Sequence, residues 1–250
     1  NFMKKYPADL PANAEEELLK IGTAVFKKRM NNPSVRAFWW PRFERIAKWF
    51  VKFEAERRQT SKTLGAEVGG RLEIDTGESV FVLTAIADRI DRGADDKLEI
   101  IDYKTGSVPA PKDVASGASP QLVLEAMIAL AGGFSGVEAG DVGTIKYWKL
   151  SGGRPAGEVK NAGQDIAQLT KNAKDGLTKL LKAFNDKKTP YLATPRPEWM
   201  PRFNAVAHLS RIGEWGTVKR VEKQKKKPAK KPRNKPAIAK KAPKRKMGKK

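Results

Sequence analysis

The stretch AIADRIDRGADDKLEIIDYKTG, residues 85–106, sets carboxylates and a lysine at spacings that permit chemistry. Asp88 falls at the end of one expected strand, and Asp102 and Lys104 at the end of the next. Residues two apart on a strand share a face, so Asp102 and Lys104 project together while Tyr103 turns away. A hairpin between the strands brings Asp88 alongside them. Two neighbouring carboxylates repel unless a hard cation sits between them, and an oxygen ligand set with open water positions suits Mg²⁺ or Mn²⁺. A lysine beside that cation can orient or deprotonate a water, or neutralise charge growing on a pentacoordinate phosphate. These groups are equipped to hydrolyse a phosphodiester.

Composition removes other chemistries. The 250 residues include no cysteine, which excludes disulfides, thiolate zinc sites and cysteine nucleophiles. One histidine, His208, lies in a late Pro- and aromatic-rich segment with no metal-ligand spacing around it, and is read as structural. No GxxxxGK(S/T) loop supplies an ATP site. The match of Lys104, Thr105 and Gly106 to a β-lactamase triad is noise without an SxxK nucleophile. Apolar runs such as Val80 to Ala87 are far shorter than a membrane span, and no leader opens the chain, so no membrane association and a cytoplasmic location are expected.

The elements that must position the acidic and lysine group can be read from periodicity. A first helix is expected from Asn13, capping with Glu16 at the third position, through Leu18, Ile21 and Val25 nearly to Met30. A second, Arg42 to Arg58, carries Phe43, Ile46, Ala47, Phe50 and Phe53 on one stripe. Trp39, Trp40 and Trp49 are assigned to the core, with base stacking the lesser reading. Strand periodicity follows in LGAEVGGRLEI, ESVFVLTAIADRI and KLEIIDYK, with short turns that suggest an antiparallel meander. Gln121 to Ala131 reads as a helix apolar nearly all round, hence buried. The strand GTIKYWKL, residues 143–150, is a candidate to return beside KLEIIDYK in a mixed sheet, before a long helix over 164–184. The fold class is α/β or α+β, a mixed central sheet flanked by helices.

Taken in order, Asp88, then Asp102 and Lys104, then Gln121 opening a buried helix, the sequence resembles the nuclease core of the PD-(D/E)XK superfamily. It is most similar to the RecB-type branch, with its pattern GxxDRID, a hairpin, (I/L)DYKTG and a helix starting Q-L. The matching residues are Asp88 to Asp91, Ile101 to Gly106, and Gln121 with Leu122. AFWWPRFERIAKWF and the late PRPEWMPRF further resemble the carboxy-terminal nuclease domain of AddB-type proteins, subunits of helicase–nuclease complexes in double-strand break repair. The resemblance implies a Mg²⁺- or Mn²⁺-dependent deoxyribonuclease acting on double- and single-stranded DNA ends, an AddA-like partner subunit, and nucleoid association. It implies Asp88, Asp102 and the Tyr103 carbonyl as metal ligands, Lys104 as the catalytic lysine, Gln121 as an active-site contact, and Arg89 among the DNA contacts. Glu67, on the preceding strand, would support the metal through water. The divisions it suggests are helical residues 1–60, a core over 61–216 and a tail over 217–250.

Several departures stand beside the resemblance. The family carries a GxxxH-like helix whose histidine completes the metal shell; here GTAVF offers Phe26, and the chain is expected to start just after that helix. The glycine of GxxDRID is Ala85. The tyrosine often found four residues after the glutamine is Glu125, a negative charge one turn from the site that would bind metal or repel phosphate. The four-cysteine iron–sulfur cluster of some relatives is excluded. The alternative to an enzyme is a catalytically inactive DNA-binding scaffold, and a third reading is an RNA enzyme using the basic tail, without preference for DNA ends.

That tail dominates the charge. Of a net +22, residues 219–250 contribute 17 Lys and Arg against the single acid Glu222, whereas the preceding residues hold 33 bases and 27 acids. Such a segment cannot bury apolar surface and is expected to be disordered, with Lys225, Lys226, Lys227, Lys230, Lys231 and Arg233 neutralising phosphates without reading sequence. Deleting 219–250 should weaken nonspecific DNA binding and flatten its dependence on salt; an unchanged slope of log affinity against log salt would remove the tail from DNA binding.

Overall fold

Buried and exposed residues alternate over much of β1 (Lys62–Asp75), while β2 (Val80–Arg92) opens on the apolar run VFVL, and the two strands pair antiparallel from Lys62 opposite Arg92 to Asp75 opposite Val80. The computed structural model describes residues 2–77, 79–192, 196 and 208–209. β3 (Leu98–Lys104) continues the meander against β2, through a turn closed by the Gly93 N–H donating to the Lys97 carbonyl at 2.9 Å. β4 (Val142–Leu150) lies parallel to β3, and β5 (Gly157–Asn161) closes the edge antiparallel, giving the order β1-β2-β3-β4-β5. A parallel neighbour requires a crossover. It is supplied by α4 (Pro111–Ala115) and α5 (Gln121–Leu130), whose Leu122, Val123, Ala126, Ile128 and Ala129 are buried.

Helices cover both faces of the sheet. α5 and α6 (Ile166–Asn185) close one side over Ile90, Leu98, Ile100 and Ile145. α1 (Phe2–Lys5), α2 (Ala14–Phe26) and α3 (Trp40–Arg57) cover the other, where Phe2, Met3 and Phe50 meet Ile101 and Trp148. The expected mixed sheet, meander and return of β4 beside β3 are all present. β5 was not expected, because GEVKN is too short for a periodicity to show. Its Gly157 is required by packing: a Cβ there would lie 2.2 Å from the Trp49 ring. At the start of α2, Asn13 makes no side-chain cap bond, and the helix stops at Phe26, short of the expected end. Of the three tryptophans expected in the core, Trp49 is there, stacked on Phe53 and edge-on to Trp148, and Trp40 packs on Phe26, but Trp39 is exposed. The 217–250 tail and its expected phosphate contacts, and nearly all of PRPEWMPRF, lie outside the described residues; His208 is exposed in a turn.

A buried ionic lattice joins α3 to the sheet. Arg89, 1% exposed, donates to both Glu54 and Asp91, and its guanidinium lies 5.0 Å from the centre of the Trp148 ring. Arg57 pairs with the other oxygen of Asp91 and with Glu99, which also accepts from Lys146 at 3.0 Å. The expectation that Arg89 contacts DNA is therefore corrected: its side chain is enclosed between two carboxylates and cannot reach a phosphate. Removing one partner of such a lattice strands a charge, so Glu54→Ala should cost about 3–5 kcal/mol in chemical denaturation. Lys4→Ala, which breaks an exposed pair with Glu67, should cost under about 1 kcal/mol.

Candidate active site

The β2–β3 ladder ends at Arg89 opposite Ile101. One step further the register would set Asp88 opposite Asp102, but the Tyr103 N–H donates to Asp88 Oδ2 at 2.9 Å instead of to a backbone carbonyl. A side-chain carboxylate thus caps the end of the ladder. Alternation also slips here: Ala87 and Ile90 both pack into the α5-side core, and across the pair Ala66 and Val68 face opposite cores. Between them Glu67 has a φ of 52°, a left-handed conformation rare for a non-glycine residue. Backbone strain of this kind concentrates at functional sites. The slip turns Arg89 toward α3 and leaves Asp88 half-buried at the sheet's end.

Asp102 and Lys104 share a face, as two-residue spacing requires. Lys104 Nζ donates to Asp102 Oδ1 at 2.8 Å and to Gln121 Oε1 at 3.2 Å. Gln121 Nε2 in turn donates to Asp102 Oδ1 at 2.8 Å and to Glu125 Oε1 at 3.1 Å. The first turn of α5 is thereby tied to the end of β3. Burial raises the Asp102 carboxyl above its usual range, against the opposing pull of Lys104, and the nearby Asp88 pushes it the same way. Burial likewise pushes Glu125 up to about 7, with Asp102 and Asp88 adding to the shift.

The five expected side chains fall into two groups. Asp102, Lys104 and Gln121 form one bonded cluster, and Asp88 stands beside it, coupled through Tyr103. Glu67 is opposite Asp88 on β1 but exposed and bonded to Lys4 at 2.7 Å, which lowers its pKa. Glu67 and Asp88 border a common cavity of about 300 Å³, with Phe43 and Phe50 of α3 among its apolar walls. Phe26, the last residue of GTAVF, packs on Trp40 and Phe43 with ring centres 6.0 and 5.9 Å away. Glu54 and the remainder of the ionic lattice were not visible as site supports in the sequence, since a glutamate within a helix of mixed charge reads as solvated.

Among the described residues no group of three His, Asp or Glu side chains is arranged to hold a metal. The donor set nevertheless fits a hard divalent cation that keeps several of its waters. It is all oxygen, and Asp102 Oδ2 is buried without a well-angled hydrogen bond, although Lys104 Nζ lies 2.7 Å away as an ion pair. Glu125 Oε2 is buried and unbonded as well.

Residues 2–198 match the family model described as the PD-(D/E)XK nuclease superfamily. The chain belongs to this superfamily. Similar curated proteins include an uncharacterized protein of Rickettsia bellii, 26% identical over 196 residues, covering 73% of this chain and 23% of that protein. Another, from Rickettsia typhi, is 29% identical over 135 residues, covering 54% of this chain and 16% of its own length. The chain therefore spans less than a quarter of these relatives. A solved structure titled SSO0001 covers 80% of this chain and 94% of that one at 15% identity and a TM-score of 0.31, a likeness that carries no argument. None of these names bears on the narrower AddB resemblance. Burial of the Glu125 carboxyl couples the stability of the fold to pH. A carboxyl whose folded pKa lies above its unfolded value is neutral in both states below about pH 4.5 and costs nothing there; between about 4.5 and 7 the unfolded chain ionises first, and the fold loses stability as pH rises. In EDTA, Glu125→Gln should leave stability near wild type at pH 4 and raise it at pH 8 by roughly 2 kcal/mol, read from chemical denaturation.

Proposed function

We propose that this PD-(D/E)XK domain hydrolyses phosphodiester bonds of DNA with Mg²⁺ or Mn²⁺, as the nuclease part of an AddB-like subunit working beside an AddA-like helicase–nuclease partner in double-strand break repair. The observation that carries the reading is the bonded cluster of Asp102, Lys104 and Gln121 with Asp88 at the end of the neighbouring strand. Asp88 and Asp102, with the Tyr103 carbonyl, would hold the cation and Glu67 would reach it through water. When bound, the cation polarises a phosphoryl oxygen and makes a coordinated water more acidic. Lys104 keeps a positive charge where negative charge grows on the phosphate, and Gln121 orients that ammonium while fixing Asp102. Substrate ends, polarity aside, follow from the AddB resemblance, and the phosphate-binding role of Lys225 to Lys227, Lys230, Lys231 and Arg233 from the charge of the tail. No helix among the described residues is long and apolar enough to cross a membrane.

A second reading, a DNA-binding scaffold without catalysis, is favoured by one observation: among the described residues no group of three His, Asp or Glu side chains is arranged to hold a metal. Digestion of linear double- and single-stranded DNA separates the two. The enzyme reading expects cutting that needs Mg²⁺ or Mn²⁺, stops with EDTA, and falls by roughly a hundred- to a thousandfold in Lys104→Ala. DNA binding without cutting, under every metal, would favour the scaffold.

A further inference from the structure

Phe38 and Trp39 take no part in the site or the core. A short π-helix, Val35–Trp39, leads into α3 and leaves both rings in solvent, Phe38 69% and Trp39 56% exposed. The next aromatics are spent otherwise: Trp40 and Phe43 cluster with Phe26, and the Trp40 indole donates to Glu44 at 2.7 Å. π-helical turns are rare and recur at functional sites. Here the turn separates an inward tryptophan from an outward one.

The surroundings of the two rings are cationic. Residues 27–48 contain seven Lys and Arg, all exposed, against the one acid Glu44, which the Trp40 indole already engages. Arg42 lies over the Trp39 ring, its guanidinium carbon 5.7 Å from the ring centre. Among the described residues no ion pair occupies Lys27, Lys28, Arg29, Arg36 or Lys48. We propose that Phe38 and Trp39 form a stacking platform for the bases of a single-stranded nucleic acid, whose phosphates the surrounding cations hold. Every base offers a π-face, so aromatic rings set among Lys and Arg bind a single strand without reading its sequence. A protein partner would need apolar neighbours around the rings, and these neighbours are charged. Phe43, four residues after Trp39 and about 6 Å along the helix axis, lines the cavity that Glu67 and Asp88 border. A strand lying on the platform would pass toward Asp88, a direction that rests on the hydrolase reading; the platform itself does not.

The test is the affinity of the full chain for labelled oligo-dT and for an abasic strand of equal length, in EDTA so that nothing is cut. Wild type should prefer oligo-dT by roughly tenfold. Trp39→Ala and Phe38→Ala should each reduce that preference without changing abasic affinity or thermal midpoint, and Trp39→Phe should keep most of it. The basic tail acts on phosphates, hence equally on both probes, and drops out of the ratio. Equal wild-type affinity for the two probes, or a preference that survives both alanine variants, overturns the platform and leaves the rings as a protein-facing patch. Base preference in a chain that never cuts DNA would sink the hydrolase reading alone, and Lys104-dependent cutting without base preference would sink the platform alone.

Discussion

The Asp88 carboxylate does the work of a backbone carbonyl at the end of the β2–β3 ladder, and most of the site follows from that substitution. By accepting from the Tyr103 N–H it satisfies a donor that would otherwise be left open where the strands stop pairing. It also spends one of its own oxygens in doing so, which fixes where the other can be. The same two strands must therefore be regular up to Arg89 and Ile101 and irregular immediately beyond. Glu67, strained on β1 opposite this point, and the slip between Ala87 and Ile90 are the forms that irregularity takes.

An irregular strand end holds its shape only if what lies behind it is rigid. Arg89 provides this, pinned between Glu54 of α3 and Asp91 of its own strand and lying against Trp148 of β4. Burying such a group is expensive, and apolar residues of similar volume often give equal or greater stability. What the lattice supplies is direction: a guanidinium satisfied by two carboxylates and a hydroxyl at Thr63 has one placement, whereas apolar packing would tolerate several. Because Arg89 is next to Asp88 in the chain, its placement sets that of the carboxylate.

These relations explain what the sequence disclosed. Strands and their order were legible because β1 to β4 are runs of seven residues or more, rich in β-branched and other apolar side chains, with turn formers closing the first three, and the pairing of Asp102 with Lys104 needs only the period of two. Gln121 was legible as the start of an apolar run. Arg89 was not, since strict alternation gives no sign of the slip that turns it inward, and an arginine between two aspartates looks like a solvated strand end. α1, α4 and β5 are too short for periodicity to mark them. The exposure of Trp39 beside an inward Trp40 depends on a π-helical turn that no propensity scale anticipates.

The remaining constraint is charge. Asp88, Asp102 and Glu125 face a single lysine, and Lys104 already divides its protons between Asp102 and Gln121. Glu125 stays tolerable near neutral pH because burial favours its protonated form, and because the Gln121 amide shares one nitrogen between it and Asp102. A divalent cation at Asp88 and Asp102 would relieve the same imbalance from the other side, lowering the cost of every carboxylate around it. An uncharged side chain at position 125 would add nothing to this imbalance, so the glutamate ties the balance of the site to the cation.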